Sequence, residues 1–114
     1  MCKDTLIIIP AFNEEPTIEA VIKDLKKQGL EDILVVDDGS RDKTAIIAKG
    51  CGVRVISHII NIGLGAAIST GLDFAREHNY QMAITIDADG QHLADDAKKI
   101  DLALKSGGAD LIIG

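Results

Sequence analysis

Aromatic residues and cysteine are scarce in this sequence, and their scarcity excludes several classes of protein. Trp is absent, and aromatic residues make up only 3% of the 114 positions, so the core must be built from Ile, Leu, Val and Ala. The two cysteines, Cys2 and Cys51, form neither a CxxC pair nor a zinc ligand set. We therefore predict reduced structural thiols and a cytoplasmic protein.

Basic residues and long apolar runs are also lacking. The formal net charge of −6 argues against binding of nucleic acid, whose phosphates require a basic face, and against electrostatic docking on anionic lipid. The N-terminal apolar stretch covers only Leu6 to Ile9, which is too short for a signal peptide or a membrane span. The hydrophobic content of 46% excludes a disordered chain, and the length allows one domain.

Short apolar runs alternate with amphipathic stretches along the chain, and the two patterns predict strands and helices respectively. The predicted strands cover 5–9, 32–36, 53–57, 82–86 and 110–113, and the predicted helices cover 16–28, 42–49, 64–76 and 93–105. Pro16 suits the first position of the first helix, and Gly29 suits its end. Ser40 or Asp42 is expected to cap the second helix.

This alternation of elements predicts an α/β protein. Continuous apolar strands between helices indicate a doubly wound, mostly parallel sheet with helices on both faces. Ligands of such sheets bind beyond the carboxyl ends of the strands, so the loops after the strands are the candidate site. The chain stops directly after the fifth strand, at Gly114, from which we expect a truncated domain.

Asp87 and Asp89 follow the fourth strand and carry the strongest sign of function. Residues two apart in an extended segment point the same way, about 6–7 Å apart at Cα. Two such carboxylates form a hard-oxygen site for Mg²⁺ or Mn²⁺, and Gln91 can add a neutral oxygen. The alternative is that these acids only cap the next helix, but unpaired acids after a buried strand are costly.

Two further loops offer groups for a nucleotide. Asp37 and Asp38 follow the second strand, and as pure acceptors they suit base N–H groups or ribose hydroxyls. After the first strand, which Pro10 is expected to end, Phe12 can lie against a flat base and Glu14 can accept hydrogen bonds. The alternatives are a capped turn and a helix entry with acids at the positive end of its dipole.

The remaining candidates are weaker. The glycine loop 63–65 is expected to bring backbone N–H groups at a helix start towards a phosphate. His58 and His78 are read as structural or exposed residues, and His92 borders the predicted metal loop. Because the site is acidic while its motifs suggest a nucleotide diphosphate, a divalent cation is needed between the two anions.

Four motifs, taken together, resemble the family 2 glycosyltransferases of the GT-A fold, and most closely their dolichyl-phosphate mannose synthase-like branch. The motifs are IIIPAFNEEPTI, ILVVDDGSRDKT, NIGLGAAISTGL and ITIDADGQH, in the order and spacing of the family. The resemblance covers essentially the whole chain. Two positions depart from the family pattern, because relatives often carry Tyr in place of Phe12 and some carry a basic residue in place of Leu64.

The resemblance implies a role for each matching residue. Nucleotide-sugar contacts are implied for Pro10, Phe12, Glu14, Val36, Asp38, Asp87, Ala88 and Asp89. Asp89 would be the main ligand of Mg²⁺ or Mn²⁺, with Asp87 and Gln91 assisting, and would stabilise the leaving group through the metal. No catalytic base is expected within the chain.

The implied activity is inverting transfer from a GDP- or UDP-sugar to a polyprenyl phosphate or a saccharide. Residues 1–114 would be the nucleotide-sugar-binding N-terminal domain without the acceptor-binding part, so we expect donor binding without turnover. We also expect self-association through the edge left exposed beyond Gly114. The full-length protein is expected at the cytoplasmic face of the membrane.

Three alternatives were compared with this interpretation. A non-catalytic nucleotide- or metal-binding module stays open, because the sequence separates it poorly from a transferase. A phospho-acceptor receiver domain is disfavoured, since it needs an acidic pair after the first strand and a Lys after the fifth. A nucleotidyltransferase usually carries a Gly-rich basic loop after the first strand, which PAFNEE is not.

Overall fold

The structure is a computed structural model that describes residues 5–88 and the backbone of residues 111–113. In chain order its elements are β1 (Thr5–Ala11), α1 (Ile18–Lys27), β2 (Ile33–Asp37), α2 (Thr44–Gly50), β3 (Arg54–Ser57), α3 (Leu64–Glu77), β4 (Met82–Thr85) and β5 (Leu111–Ile113). The predicted helix over 93–105 lies outside the described residues, as do Asp89, Gln91 and His92.

The strands form one parallel sheet in the order β3-β2-β1-β4-β5. The chain builds outward from β1 through β2 to β3, and then returns to the other side of β1 to form β4. This confirms the predicted doubly wound sheet. The strand order reverses between β1 and β4, which is where a ligand crevice opens in sheets of this kind.

Successive residues of β1 face opposite sides of the sheet and enter two separate cores. Ile7 and Ile9 pack in the core that contains the buried face of α1. That face consists of Ile18, Val21, Ile22 and Leu25, the residues whose spacing predicted the helix. Leu6 and Ile8 pack in the second core, beneath α3. Helices therefore cover both faces of the sheet.

Strand β1 is longer than the sequence predicts, because it continues through Pro10 to Ala11. The main-chain polar groups of Ile8 and Pro10 point to the same side of β1, because the two residues are two positions apart in a strand. That side faces β4, since the carbonyl of Ile8 accepts from the N–H of Ile86. The β1–β4 register ends at Ile8 and Thr85. Pro10, which has no N–H, thus lies where that ladder has already stopped, so it does not interrupt the strand.

The first helix begins at Ile18, two residues later than predicted. The carbonyl of Glu14 accepts from the N–H groups of both Thr17 and Ile18, at 3.1 and 2.9 Å, and this makes the segment around Pro16 a turn that leads into α1. Gly29, with φ of +86°, follows the helix end as predicted. Among the described residues, no helix is long and apolar enough to cross a membrane.

Candidate functional site

The loop after β1 and the turn after β2 are joined by hydrogen bonds between side chains and main chain. The Asn13 N–H donates to Ser40 Oγ, and the Arg41 N–H donates back to Asn13 Oδ1, both at 2.9 Å. The Glu14 N–H donates to Thr44 Oγ1 at 3.0 Å. Asn13 has φ of +54°, a left-handed conformation that Asn tolerates better than most residues.

The predicted cap of α2 is therefore wrong in part. The N-cap position belongs to Lys43, and the Ser40 hydroxyl binds Asn13 of the neighbouring loop instead of its own helix. Asp42 still accepts the Thr44 N–H at 3.0 Å and the Glu15 N–H at 3.2 Å. Burial raises the pKa of Asp42, but these hydrogen bonds and the one from the Thr44 hydroxyl outweigh it and leave that pKa below its ordinary value.

Both carboxylate oxygens of Asp38 accept hydrogen bonds from the segment that follows β3. Its Oδ1 accepts from His58 Nδ1 at 2.8 Å and from the Ile62 N–H at 3.0 Å. Its Oδ2 accepts from Asn61 Nδ2 at 2.9 Å and from the Gly63 N–H at 2.8 Å. A carboxylate has about four lone-pair positions. The loop between β3 and α3 therefore satisfies Asp38 and is itself held in place by it.

This arrangement corrects the role expected for one N–H group of the glycine loop 63–65, that of Gly63. The N–H groups of Ile62 and Gly63 lie at the start of α3, where an anion is favoured by the helix dipole, and the anion they hold is the Asp38 carboxylate. They are not directed to a bound phosphate. Burial raises the pKa of Asp38, but the hydrogen bonds from His58, Ile62 and Gly63 outweigh it and leave that pKa below its ordinary value.

His58 connects Asp38 to helix α3. Because the ionised carboxylate can only accept, Nδ1 of the ring donates to Asp38. Nε2 lies 2.8 Å from the hydroxyl of Thr70 in α3. His58 is therefore structural, as predicted. His78 is structural at the other end of α3, where it stacks on Phe74 with ring centroids 3.9 Å apart.

A cavity of about 470 Å³ opens at the point where the strand order reverses. Its lining comes from the ends of β1, β2 and β4 and from the start of α3. The lining residues are Pro10, Ala11, Phe12, Glu14, Asp38, Asn61, Gly63, Leu64, Ala67, Asp87 and Ala88. The Thr17 hydroxyl donates to the Ala88 carbonyl at 2.5 Å and so ties the segment after β4 to the start of α1.

Residues 6–114 match Glycosyl transferase family 2. The chain belongs to this family. A UDP-N-acetylglucosamine–dolichyl-phosphate N-acetylglucosaminyltransferase from Methanococcus voltae is 35% identical, over 95% of this chain and 50% of the relative. A polyprenol monophosphomannose synthase from Mycolicibacterium smegmatis is 34% identical, over 96% of this chain and 44% of the relative.

The fold is likewise that of a family 2 glycosyltransferase. The crystal structure of glucosyl-3-phosphoglycerate synthase from Mycobacterium tuberculosis in complex with Mn²⁺, UDP-glucose and phosphoglyceric acid matches with a TM-score of 0.59 and 30% identity. The match covers 75% of this chain and 33% of that one. The chain spans about half the length of the curated relatives it matches.

The structure brings together most of the site residues that the sequence predicted for this member of glycosyl transferase family 2. Pro10, Phe12, Glu14, Asp38, Asp87 and Ala88 all line the cavity. Val36 is completely buried in the core beneath α3 and does not line the cavity, so the predicted contact of Val36 with the nucleotide is not supported by its position. Asp37 is buried too, and its Oδ1 accepts from the Ser40 N–H at 3.1 Å, so it closes its own turn.

The sequence predicted no side-chain contact from one wall of the cavity. This wall consists of Asn61, Gly63, Leu64 and Ala67, from the loop after β3 and the first turns of α3. Its sequence signals were the position of the NIGLG segment after a predicted strand and the family motif NIGLGAAISTGL, which begins there. The sequence predicts a role only for the backbone N–H groups of this segment. In the structure the N–H groups of Ile62 and Gly63 donate to Asp38, and the side chains of Asn61 and Leu64 line the cavity.

The predicted metal site is only partly within the described residues. Asp87 lines the cavity, while Asp89 and Gln91 lie outside those residues. Within 5–88 no group of three His, Cys, Asp or Glu residues is placed to hold a metal ion. The cavity nevertheless fits a cation with a nucleotide diphosphate, because the lining includes three carboxylates and neither Lys nor Arg among the described residues.

Proposed function

We propose that this chain is the donor-binding part of a metal-assisted, inverting glycosyltransferase that uses a UDP- or GDP-sugar. The observation that carries the proposal is the cavity between β1 and β4, where acidic and aromatic side chains from three strand ends converge in a chain of family 2. Its volume of about 470 Å³ lies within the range of small-ligand sites. UDP-glucose in the related synthase supports a uridine donor.

The proposed nucleoside contacts come from the end of β1. Phe12 is 43% exposed although it lines the cavity, so one part of its ring is open to stack on a flat base. Glu14 can accept from the base or the ribose, and its N–H is held by Thr44 at 3.0 Å. Asp38 also lines the cavity, but its carboxylate already accepts hydrogen bonds from His58 and from the loop between β3 and α3. We therefore propose that Asp38 mainly holds this loop in place as a wall of the cavity.

The proposed metal ligands are Asp87, Asp89 and Gln91, with Mg²⁺ or Mn²⁺ as the ion. When bound, the ion would neutralise charge on the diphosphate as the bond to the sugar breaks. Of the proposed ligands, Asp87 lines the cavity, whose lining also includes the apolar side chains of Ala11 and Ala67. Mn²⁺ in the related synthase supports this assignment.

The proposed acceptor is a polyprenyl phosphate, because both curated relatives carry the name of a lipid-linked reaction. A phosphate oxygen of the acceptor would attack the anomeric carbon, the bond from that carbon to the diphosphate would break, and the nucleotide would leave with both electrons. An acceptor that is already anionic needs no base to receive a proton. An anionic acceptor is therefore consistent with the expectation that no catalytic base lies within the chain.

Calorimetric titration with UDP and GDP, each with Mn²⁺ and with excess chelator, tests the proposal. We expect one nucleotide to bind in the presence of Mn²⁺, and chelation to weaken binding at least ~10-fold, about 1.4 kcal/mol. Equal affinity in chelator would refute the metal assistance. Failure of both nucleotides to bind would refute the donor site itself.

The remaining expectations belong to the same proposal. We propose that residues 1–114 act as one donor-binding domain, that the protein works at the cytoplasmic face of the membrane, and that the chain self-associates through a sheet edge. Light scattering checks self-association, because a paired edge gives a species larger than the 12.1 kDa monomer.

A further inference from the structure

The loop between β3 and α3 presents large aliphatic side chains to solvent. Ile59 is 100% exposed, Ile60 67%, Ile62 60% and Leu64 61%. We name residues 59–64 the apolar loop. Single exposed apolar residues are common on protein surfaces, but a contiguous group of them marks a surface that meets another apolar phase.

The exposure of these side chains is built into the fold. Asp38 holds the N–H groups of Ile62 and Gly63 and the side chain of Asn61. Gly39, with φ of +72°, packs so closely that a Cβ there would lie 2.4 Å from the carbonyl carbon of Ile60. The backbone of Gly39 is therefore packed directly against the backbone of Ile60. The loop cannot turn its isoleucines inward without breaking these contacts.

The chemistry of the apolar loop selects among partners. Residues 59–64 contain no charged and no aromatic side chain. Binding hot spots between proteins are enriched in Trp, Tyr and Arg, which can pair with polar groups as well as bury surface. Branched aliphatic side chains offer only hydrophobic transfer, which is what a hydrocarbon phase rewards.

The apolar loop also borders the proposed donor site. A second cavity, of about 400 Å³, is lined in part by Ile59 and Ile60. It shares Phe12 and Asn61 with the donor cavity, so the two spaces adjoin. Arg41 lines this second cavity as well, and its guanidinium has no hydrogen bond or ion pair to another described residue.

We propose that the three isoleucines of the apolar loop, Ile59, Ile60 and Ile62, dock in the hydrocarbon region of a lipid bilayer and hold the mouth of the donor cavity at the membrane surface. The inference rests on the proposed function in one respect, since a polyprenyl phosphate presents its phosphate at that surface. The net charge of −6 requires that docking depend on apolar insertion and not on anionic lipid. Arg41 lies where it can meet a lipid phosphate.

Co-sedimentation of the full chain with phosphatidylcholine vesicles tests this docking. The test variant is Ile59→Ser/Ile62→Ser, because neither side chain lines the donor cavity. The matched control is Ile46→Ser on α2, where an isoleucine 69% exposed receives the same substitution. We expect the wild-type chain and the control to bind vesicles equally, with little effect of salt, and the double variant to bind at least about tenfold more weakly.

Three outcomes would overturn the proposal. The first is wild-type protein that stays in the supernatant, and the second is a double variant that binds like the control. The third is a wild-type chain that forms a dimer and does not bind vesicles, while the double variant is a monomer. The partner of the apolar loop would then be a second copy of the chain. UDP titration of the same samples separates membrane docking from the proposed donor binding. Loss of nucleotide binding with vesicle binding intact would refute only the donor site, and loss of vesicle binding with nucleotide binding intact would refute only the docking. Circular dichroism checks that each variant is folded.

Discussion

Asp38 and His58 form a pair that joins two strand ends to a helix. Their Oδ1 and Nδ1 atoms lie 2.8 Å apart, although the residues are 20 positions apart in the chain. The other ring nitrogen of His58 lies 2.8 Å from Thr70 Oγ1 in α3. Through this pair the end of β2 holds the end of β3 and the helix that forms one wall of the cavity between β1 and β4.

Asp38→Asn should destabilise the fold. The amide has one acceptor oxygen, so at least one of the part-buried hydrogen bonds from His58, Asn61, Ile62 and Gly63 to the buried Asp38 would be lost. We expect a loss of roughly 2–4 kcal/mol in the free energy of unfolding by urea. Asp73→Asn, an exposed carboxylate on α3, should change it by less than ~0.5 kcal/mol. Equal effects of both substitutions would mean that the Asp38 network contributes little.

Acid should weaken the fold through the same carboxylate. The pKa of Asp38 is lower in the folded protein than its ordinary value of 3.8, so its contribution to stability is complete above that value. The contribution is lost as the pH falls through the lower folded-state pKa. Urea unfolding measured from neutral to acid pH should show this loss. Asp38→Asn should reduce the slope without abolishing it, because the pKa of Asp42 is lowered as well.

Gly71→Ala should destabilise the contact between α3 and the sheet. A Cβ at this position would lie 2.6 Å from Cγ2 of Ile8, which is fully buried, so the helix or the strand must shift. We expect a loss of about 1–3 kcal/mol. Gly65→Ala in the same helix meets nothing within 4 Å and should be neutral or stabilising by up to ~1 kcal/mol. Thermal unfolding of the two variants measures the difference, and a stable Gly71→Ala would show that the packing is looser than described.

Asp89→Asn should separate metal binding from nucleotide binding. The substitution removes a charge and keeps the shape of the side chain, so the thermal midpoint should hardly change. Titration of UDP or GDP should then give the same affinity with and without Mn²⁺. Asp73→Asn serves again as the control, and it should keep the effect of Mn²⁺. If Asp89→Asn instead unfolds the protein, Asp89 has a structural role and the assigned ligand set is wrong.

Phe12→Ala should weaken nucleotide binding while sparing the fold. Phe12 is 43% exposed and lies at the cavity, so its ring contributes more to a stacked base than to the core. We expect about a tenfold loss of affinity, since base stacking on an aromatic side chain contributes ~1–3 kcal/mol. Phe12→Tyr should retain the affinity, because the stacking face is kept. An unchanged affinity in Phe12→Ala would remove Phe12 from the donor site.

Most of the fold could be predicted because its signals are local. The apolar run from Leu6 to Ile9 and the helical spacing from Ile18 to Leu25 identify a buried strand and the buried face of a helix, and both are confirmed. The ends of the elements were less certain. Pro10 was expected to end β1, but its missing N–H matters only on the side facing β4, and the sequence does not show where that pairing stops.

The sequence by itself determined the family, the alternation of strands and helices, and the loops that carry the site, because each depends on neighbouring residues. Only the tertiary structure decided what the side chains in those loops do. Asp38, expected to serve a ligand, meets His58 and Gly63, which are 20 and 25 positions away in the chain. Ser40, expected to cap its own helix, meets Asn13 of another loop. A hydrogen-bonding group pairs with the nearest partner in space, and strand order, which no local pattern encodes, determines which partner is nearest.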